Sequence, residues 1–336
     1  MRYLSLHHGK PSQINMKHTR YFGFFIPFVL TCLATYAQQD SQFSMFTFNQ
    51  LYFNPATVGS DGMTRLQLLN RWQYQGYQTS SGDGGAPTTF MASVAVPLSF
   101  VKGAIGIHYV NDQIGVTGSQ EVQLSYAYKM NIKDNTLALG VRVGLMNRYI
   151  DFSRLNPRET GDPEIPTGRI GLSQPDLALG AYYDATDFYV GLSINHLNSP
   201  QFRFTGVGDA NAFKPNIYLN AGYRWQPTYE LEIQPVVLAK SLTTFSGQTI
   251  SVEGGVIATY NDLIFLGGTY RLQDAISATI GGNLLQNRLR VAFSHDFVTS
   301  GQSIKTPSSN EFMLSYALPA PRLGKKTIVR TPRFRY

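Results

Sequence analysis

The sequence contains a single cysteine, Cys32, which lies in the N-terminal leader described below, so the mature chain has none. Disulfide bonds, thiol nucleophiles and cysteine metal sites are therefore excluded from the mature protein. Histidine is scarce as well: only His108, His196 and His295 follow the leader, in separate segments. His295 and Asp296 are adjacent, so in a strand they face opposite ways and cannot act as a base and its orienting acid. We predict that the chain is not an enzyme and carries no cofactor or metal.

The chain lacks an apolar run long enough to cross a membrane as a helix, since its most apolar stretch, residues 21–33, is short. Lys17 and Arg20 lie just before this stretch, and Thr35–Ala37 after it has the small-x-small pattern of a cleavage site. The pattern is typical of a secretory signal peptide, which we assign to residues 1–37 with cleavage near Ala37. Initiation at Met16 would give it a more ordinary length. A transmembrane anchor is the alternative, but no stop-transfer charges follow.

Charge of one sign does not dominate the mature chain, although the formal net charge is +7. The leader holds four basic residues and no acidic ones, which leaves 24 basic against 21 acidic residues. Six further basic residues lie in the C-terminal tail, residues 319–336. We expect this basic tail to lie in the periplasm, where it contacts acidic lipid or a partner, or is simply solvated. No nucleic-acid partner is indicated.

What the sequence has in abundance is alternation of apolar and polar residues in stretches of about ten. In one such stretch Val122, Leu124 and Tyr126 alternate with Gln123 and Ser125. A period of two gives a strand one apolar and one polar face, and about ten residues let a tilted strand cross a bilayer. Behind a signal peptide, the pattern predicts an all-β transmembrane antiparallel barrel in the outer membrane.

Fourteen candidate strands repeat this pattern, and no segment has a sustained helical period. Their approximate bounds are 63–74, 88–98, 102–111, 119–131, 135–149, 176–184, 187–197, 215–226, 229–239, 248–260, 262–271, 274–284, 287–297 and 310–318. Even strand numbers are usual for such barrels, and we place the barrel at residues 62–318. Pro235 is a difficulty, because a closed barrel has no free edge; it indicates either a bulge or a misplaced strand.

The connections between these strands alternate in length, except that Gln273 alone separates the eleventh strand from the twelfth. The short ones are 97–102, 131–135, 184–187, 226–229, 261–262 and 284–287, and the longer ones are 76–87, 111–118, 150–175, 198–215, 241–247 and 298–310. Short periplasmic turns and longer outward loops are the rule in outer-membrane barrels. With fourteen strands, this alternation places both termini in the periplasm.

Charged side chains collect on the polar face of the predicted strands. A charge facing the bilayer midplane costs about 2–4 kcal/mol, so we expect these side chains to point into the lumen. They are Arg65, Arg71, Lys129, Arg142, Arg224, Glu232, Glu253, Arg288, Arg290 and Asp296. Two roles remain open: ion pairs that brace the barrel, or a surface that binds a partner or conducts.

The segment after the leader is the most distinctive part of the chain. Residues 38–56 read QQDSQFSMFTFNQLYFNPA. This segment resembles the opening of the PorP/SprF family. Weaker matches to the same family are Gly85–Thr89, Pro175–Asp176, Gly191–Leu197 and Ser309–Glu311. We expect residues 38–61 to form a plug-like periplasmic segment with no strand, or simply a turn that caps the barrel mouth.

The resemblance implies an outer-membrane component of the type IX secretion system of Bacteroidota, linked to gliding motility. Such proteins dock periplasmic and lipoprotein components of the apparatus, and they support export or surface attachment of adhesins through the cargo's C-terminal domain. Candidate partner-binding residues of the family motif are Gln42, Asn49, Gln50, Asn54 and Pro55. The alternative function is a diffusion channel or hydrophobic-solute transporter, which rests on lumen charge alone.

Overall fold

The computed structural model describes residues 40–77, 85–154, 167–204, 211–244, 247–299 and 308–321. The predicted signal peptide, its Cys32 and nearly all of the basic tail lie outside these ranges. Within them, no helix has the length and apolarity to cross a membrane.

Fourteen antiparallel strands hydrogen-bond in one closed ring, in which β1 pairs with both β2 and the last strand. Outside the ring, two strands of two residues each, β8 and β9, pair with each other in what we call the β8–β9 hairpin. The strands are β1 (Thr64–Trp72), β2 (Thr88–Leu98), β3 (Gly103–Ile114), β4 (Thr117–Ile132), β5 (Asn135–Asp151), β6 (Arg169–Asp184), β7 (Phe188–Asn195), β8 (Gln201–Phe202), β9 (Asn211–Ala212), β10 (Asn216–Tyr223), β11 (Leu231–Thr244), β12 (Gly247–Tyr260), β13 (Ile264–Arg271), β14 (Ala275–Leu284), β15 (Leu289–Val298) and β16 (Ser308–Leu318). The ring confirms the predicted fourteen-stranded antiparallel barrel.

The two faces of the wall follow the predicted alternation. In β4, Val122 and Leu124 are 47% and 52% exposed on the outside, whereas Gln123 and Ser125 are 1% and 0% exposed on the inside. The outer face therefore carries the apolar side chains that a bilayer requires, and the polar side chains face the lumen.

The two ends of the barrel differ in their connections. We call the end with connections 73–87, 152–168, 196–215 and 299–307 the loop end, and the end with connections 99–102, 133–134, 185–187, 224–230, 261–263 and 285–288 the turn end. Two predicted long connections were wrong, because the strands on either side of them are longer than predicted. Only residues 115–116 separate β3 from β4, and only residues 245–246 separate β11 from β12. In the first, Gly115 has a φ of +59°, which suits a tight turn, and polar Asn111 and Gln120 continue the ladder.

Pro235 lies within β11, and the β11–β12 register runs past it without a bulge. On the other edge, the β10–β11 ladder stops at Gly222 opposite Val236, and one bridge, Trp225 to Ile233, continues the same register. Trp225 and Ile233 exchange both backbone hydrogen bonds, so the alternation of the ladder directs the missing N–H of Pro235 towards β10. Neither a bulge nor a misplaced strand is involved: the interrupted β10 edge accommodates the proline.

Residues 40–62, which we call the lumen segment, precede β1 and pack inside the barrel. They form a 3₁₀ turn (Phe46–Phe48), a short helix α1 (Gln50–Phe53) and a second 3₁₀ turn (Pro55–Thr57). Seven of their apolar side chains are at most 4% exposed: Phe43, Met45, Phe46, Tyr52, Phe53, Ala56 and Val58. This segment supplies much of the barrel's interior core.

The lumen segment runs from one end of the barrel to the other. Asp40 contacts His196, just after β7, and Asn216, the first residue of β10, both at the loop end. The carbonyl oxygen of Gly59 accepts a hydrogen bond from Lys129, near the turn end of β4. The segment thus fills the lumen rather than capping one mouth. Asp40, the first described residue, and the last residue of β16 lie at opposite ends of the barrel.

Candidate functional site

A buried charge network holds the start of the lumen segment at the loop end. Arg71 of β1 pairs with Glu311 of β16 (Nη1–Oε2 3.0 Å) and with Asp296 of β15 (Nη2–Oδ2 2.7 Å). Glu311 accepts hydrogen bonds from the backbone N–H groups of Ser44 (2.8 Å) and Met45 (3.0 Å). The carboxylate therefore joins the wall to the segment's main chain as well as to an arginine.

A second ion pair extends this network around the barrel. Arg271 of β13 pairs with Glu253 of β12 (Nε–Oε2 2.9 Å) and donates to Ser44 Oγ (3.2 Å). Gln42 donates to Glu253 (3.3 Å) and accepts a hydrogen bond from Lys240. Because these charges are buried, removing one member would leave another uncompensated, which is costly.

At the loop end, a histidine and two carboxylates connect the first described residue of the lumen segment to the barrel wall. His196 Nε2 lies 2.9 Å from Asp40 Oδ1, and His196 Nδ1 lies 2.9 Å from Asp176 Oδ1 of β6. Asp40 also accepts hydrogen bonds from Asn216 (2.8 Å) and Tyr218 of β10. Burial raises the pKa of Asp40, but His196 and these hydrogen bonds outweigh burial and hold that pKa well below its ordinary range.

The opposite shift applies to His196, which lies just beyond β7. Burial lowers the pKa of His196, but Asp40 and Asp176 outweigh it and hold the pKa well above the ordinary value. The two shifts are mutually consistent, because each describes an ion pair that is favoured when both groups are charged.

The Asn-Pro-Ala turn of the lumen segment is seated on glycines of the wall. Asn54 Oδ1 accepts the N–H of Ala56 (2.9 Å) and caps the 3₁₀ turn, while its Nδ2 donates to the carbonyl of Ala181 in β6 (3.0 Å). A Cβ at Gly180 of β6 would overlap Asn54 Oδ1, and one at Gly140 of β5 would overlap the backbone of Ala56. These inward-facing glycines are therefore required for the close approach of the turn.

Arg142 of β5 holds the middle of the segment. It donates from Nη1 to the carbonyl oxygen of Tyr52 (2.9 Å) and from Nη2 to that of Leu51. Carbonyls at the end of a helix have no partner within the helix, so a buried guanidinium is a suitable donor for them. The ring of Tyr52 packs edge-to-face against Phe43, with centroids 4.9 Å apart. Such a pair contributes about 0.5–1.5 kcal/mol beyond its buried area.

The lumen segment leaves a cavity of about 520 Å³ on its turn-end side, which we call the turn-end cavity. Its wall includes four of the predicted lumen charges: Arg65, Arg224, Glu232 and Arg290. Arg65 pairs with Asp61 (2.6 Å), and Arg224 pairs with Asp184 (2.9 Å). The cavity is thus polar, partly ion-paired, and bounded by the lumen segment on its inner side.

The other predicted lumen charges fall into two groups. Five contact the lumen segment: Arg71, Lys129, Arg142, Glu253 (through Gln42) and Asp296. Arg288 does not face the lumen; it lies exposed in the turn between β14 and β15. A one-residue error at the strand end accounts for this, because alternation no longer fixes the face once a residue has left the ladder.

The five residues chosen from the family motif all lie within the lumen. Gln42, Asn49, Asn54 and Pro55 are buried, and Gln50 is half-buried at the start of α1. Sequence reasoning missed Glu311 and Arg271, which contact Ser44 of the lumen segment, and Gly180, against which Asn54 packs. It also missed the cluster of Asp40, Asp176 and His196. A signal for that cluster existed, since all three residues lie in the separate stretches that resemble the family.

A family model described as "Type IX secretion system membrane protein PorP/SprF" matches residues 35–316, most of the chain. Among solved structures, a Pseudomonas aeruginosa FadL homologue shares 13% identity, covering 79% of this chain and 92% of its own, with a TM-score of 0.47. The Acinetobacter baumannii outer membrane protein Omp33 is also similar, at 7% identity over 76% of this chain and 98% of its own, with a TM-score of 0.45. The P. putida toluene transporter TodX shares 12% identity over 79% of this chain and 92% of its own, with a TM-score of 0.44. A comparison with curated protein sequences finds no match.

Proposed function

The chain belongs to the PorP/SprF family of type IX secretion system membrane proteins, and from this premise we propose that it is a non-enzymatic docking barrel of the outer membrane. Its turn end binds components of the secretion or gliding machinery in the periplasm. Its loop end supports the export or surface attachment of an adhesin-type cargo protein.

The observation that carries this proposal is the lumen segment. The interior of this barrel is occupied by its own chain, with ion pairs buried at the loop end and a capped turn on the wall, so the described residues obstruct the lumen along that segment. Diffusion of solutes is therefore a poor fit, and binding at the two ends is a better one. The rigid filling also presents both ends as fixed surfaces, which favours association.

The loop end carries a packed surface of its own. Phe202 of β8 and Phe213, after β9, are 1% and 2% exposed and pack on Met146 of β5. The guanidinium of Arg148 lies over the ring of Phe213, 4.8 Å from its centroid. The β8–β9 hairpin is thus held against the barrel, and it provides a shaped platform on which a cargo domain can dock.

The proposal is tested by affinity purification from native membranes with a tag beyond Tyr336, followed by mass spectrometry. Recovery of secretion-system lipoproteins together with a large secreted protein is the expected result. A second strain lacks residues 155–166, which leaves β5 and β6 intact, and we expect it to retain the periplasmic partners but lose the cargo. Heat-modifiable migration on gels confirms that the shortened barrel is folded and inserted.

Two results would contradict the proposal. One is a barrel recovered alone from both strains. The other is a steady conductance of the unaltered protein in planar bilayers, which would instead favour the channel.

A further inference from the structure

The turn-end cavity holds two guanidinium groups on either side of one serine. Arg65 of β1 donates from Nη1 to Ser315 Oγ of β16 (3.0 Å). Arg290 of β15 is the direct cross-strand partner of Ser315. Both arginines line the cavity, so two cations from non-adjacent strands meet on one part of its wall.

Arg290 differs from the other arginines of the lumen wall because its Nη groups have no hydrogen-bond partner among the described residues. In Arg142, both Nη groups donate to carbonyl oxygens of the lumen segment. Arg71, Arg224 and Arg271 lie 2.7–3.0 Å from a carboxylate oxygen. In the described part of the chain, Arg290 has no carboxylate within ion-pair distance, and its one hydrogen bond runs from Nε to Asn283 Oδ1 (2.7 Å). Its guanidinium stacks near Phe48, 5.0 Å from the ring centroid. The two Nη groups are therefore available as a fork for a planar acceptor.

Two buried amides on the same wall also lack partners. Asn49 and Gln67 are 2% and 7% exposed, and both line the turn-end cavity. Among the described residues, Oδ1 and Nδ2 of Asn49 and Nε2 of Gln67 have no hydrogen-bond partner. Buried donors without acceptors are costly, so two such donors in the lining that also holds Arg290 indicate a ligand rich in acceptors.

The charge of the cavity limits the ligand. Asp61 balances Arg65 and Asp184 balances Arg224, while Arg290 alone is left over. Two further acidic residues, Glu232 and Asp262, also line the cavity, so additional negative charge is disfavoured there. A monoanion on Arg290 therefore suits the cavity better than a doubly charged phosphate. The flat fork beside Phe48 further favours a carboxylate next to an apolar or aromatic group.

We propose that the turn-end cavity binds a monocarboxylate, with the carboxylate on the Nη groups of Arg290, hydrogen bonds from Asn49 and Gln67, and an apolar group against Phe48. The carboxylate belongs either to a small organic acid or to the C-terminus of a peptide. This site is separate from the docking surfaces proposed above, since it lies within the lumen.

The test is calorimetric titration of the purified full-length barrel in detergent. The probes are N-acetylphenylalanine, its amide, benzoate and inorganic phosphate. We expect the two carboxylates to bind and the neutral amide and phosphate to bind at least tenfold more weakly. Tighter binding of N-acetylphenylalanine than of benzoate points to a peptide terminus, and the reverse points to a small acid; both support the site.

Matched variants distinguish the loss of a specific binding site from the mere loss of one positive charge. R290Q is expected to lose at least tenfold in affinity, whereas R288Q, an identical change on the exposed turn two residues away, should bind as the unaltered protein does. D61N removes the carboxylate that competes for Arg65 and should tighten binding several-fold, even if R290Q fails to fold. Equal binding of acid and amide, preference for phosphate, or equal losses in R288Q and R290Q would overturn the proposal.

Discussion

His196 and Asp40 are 156 positions apart in the sequence, yet His196 Nε2 lies 2.9 Å from Asp40 Oδ1 at the loop end of the barrel. The imidazole is clamped on its other side by Asp176 Oδ1, also at 2.9 Å. The pair ties the start of the lumen segment to the wall beside β7.

The first prediction concerns the pH dependence of this contact. The raised pKa of His196 stabilises the folded state below about pH 6.5, and this contribution is lost as the pH rises through the raised value. The lowered pKa of Asp40 stabilises above about pH 3.9, and its contribution is lost as the pH falls through the lowered value. Near pH 5.5 both groups are charged, so His196→Gln should destabilise by about 3 kcal/mol there.

The measurement is urea unfolding in detergent, followed through the fluorescence of the two tryptophans. The difference in free energy of unfolding between the unaltered protein and His196→Gln should become smaller well above pH 7, once the imidazole loses its proton. A gap that widens as the pH rises would mean that the histidine acts as a neutral hydrogen-bonding group and not as a cation.

The second prediction tests the glycine seat of the Asn-Pro-Ala turn. Gly180→Ala places a methyl group where Asn54 Oδ1 lies, and overpacking of this kind costs about 1–3 kcal/mol. Gly268→Ala is the matched control, because a Cβ there meets nothing within 4 Å. We expect a lower urea midpoint and faster proteolysis near Asn54 for Gly180→Ala only. Equal effects of the two changes would show that the lumen segment does not depend on this seat.

Much of the wall could be predicted from the sequence, because a bilayer imposes one rule on every strand. Each strand must turn apolar residues outward, so an alternation with a period of two predicts where a strand lies and which residues are on each of its faces. That rule located β11 correctly despite Pro235, and it set Arg71 and Arg142 on the inner face. It failed at Arg288, which lies beyond the end of the ladder.

The contents of the lumen could not be predicted in the same way. Alternation says that Glu311 points inward, but it does not say that its partners are the N–H groups of Ser44 and Met45, more than 260 positions away. Such contacts depend on how an irregular segment threads through a closed ring. The sequence carried only an indirect signal, in the inward glycines and in the separated stretches that resemble the family.

The third prediction concerns the buried ion pairs at the loop end. Arg71→Met leaves Asp296 and Glu311 without their shared guanidinium, and breaking a buried pair in this way costs about 3–5 kcal/mol. Arg65→Met is the control, since its partner Asp61 is 34% exposed and such pairs contribute about 1 kcal/mol or less. Urea midpoints should separate the two variants clearly. A loss for Arg71→Met no larger than that of the control would mean that water reaches the network.

The last prediction asks whether the lumen segment closes the barrel. Deleting residues 40–57 removes the buried aromatic core and the capped turn but leaves every barrel strand intact. The wall retains Arg271 beside Glu253 and Arg71 beside Asp296, so these two ion pairs remain within the emptied lumen. We therefore expect the deleted barrel to insert, as shown by heat-modifiable migration, and to conduct in planar bilayers where the unaltered protein does not. If the deletion variant inserts and still passes no current, the barrel is closed elsewhere, and the β8–β9 hairpin at the loop end becomes the element to remove next.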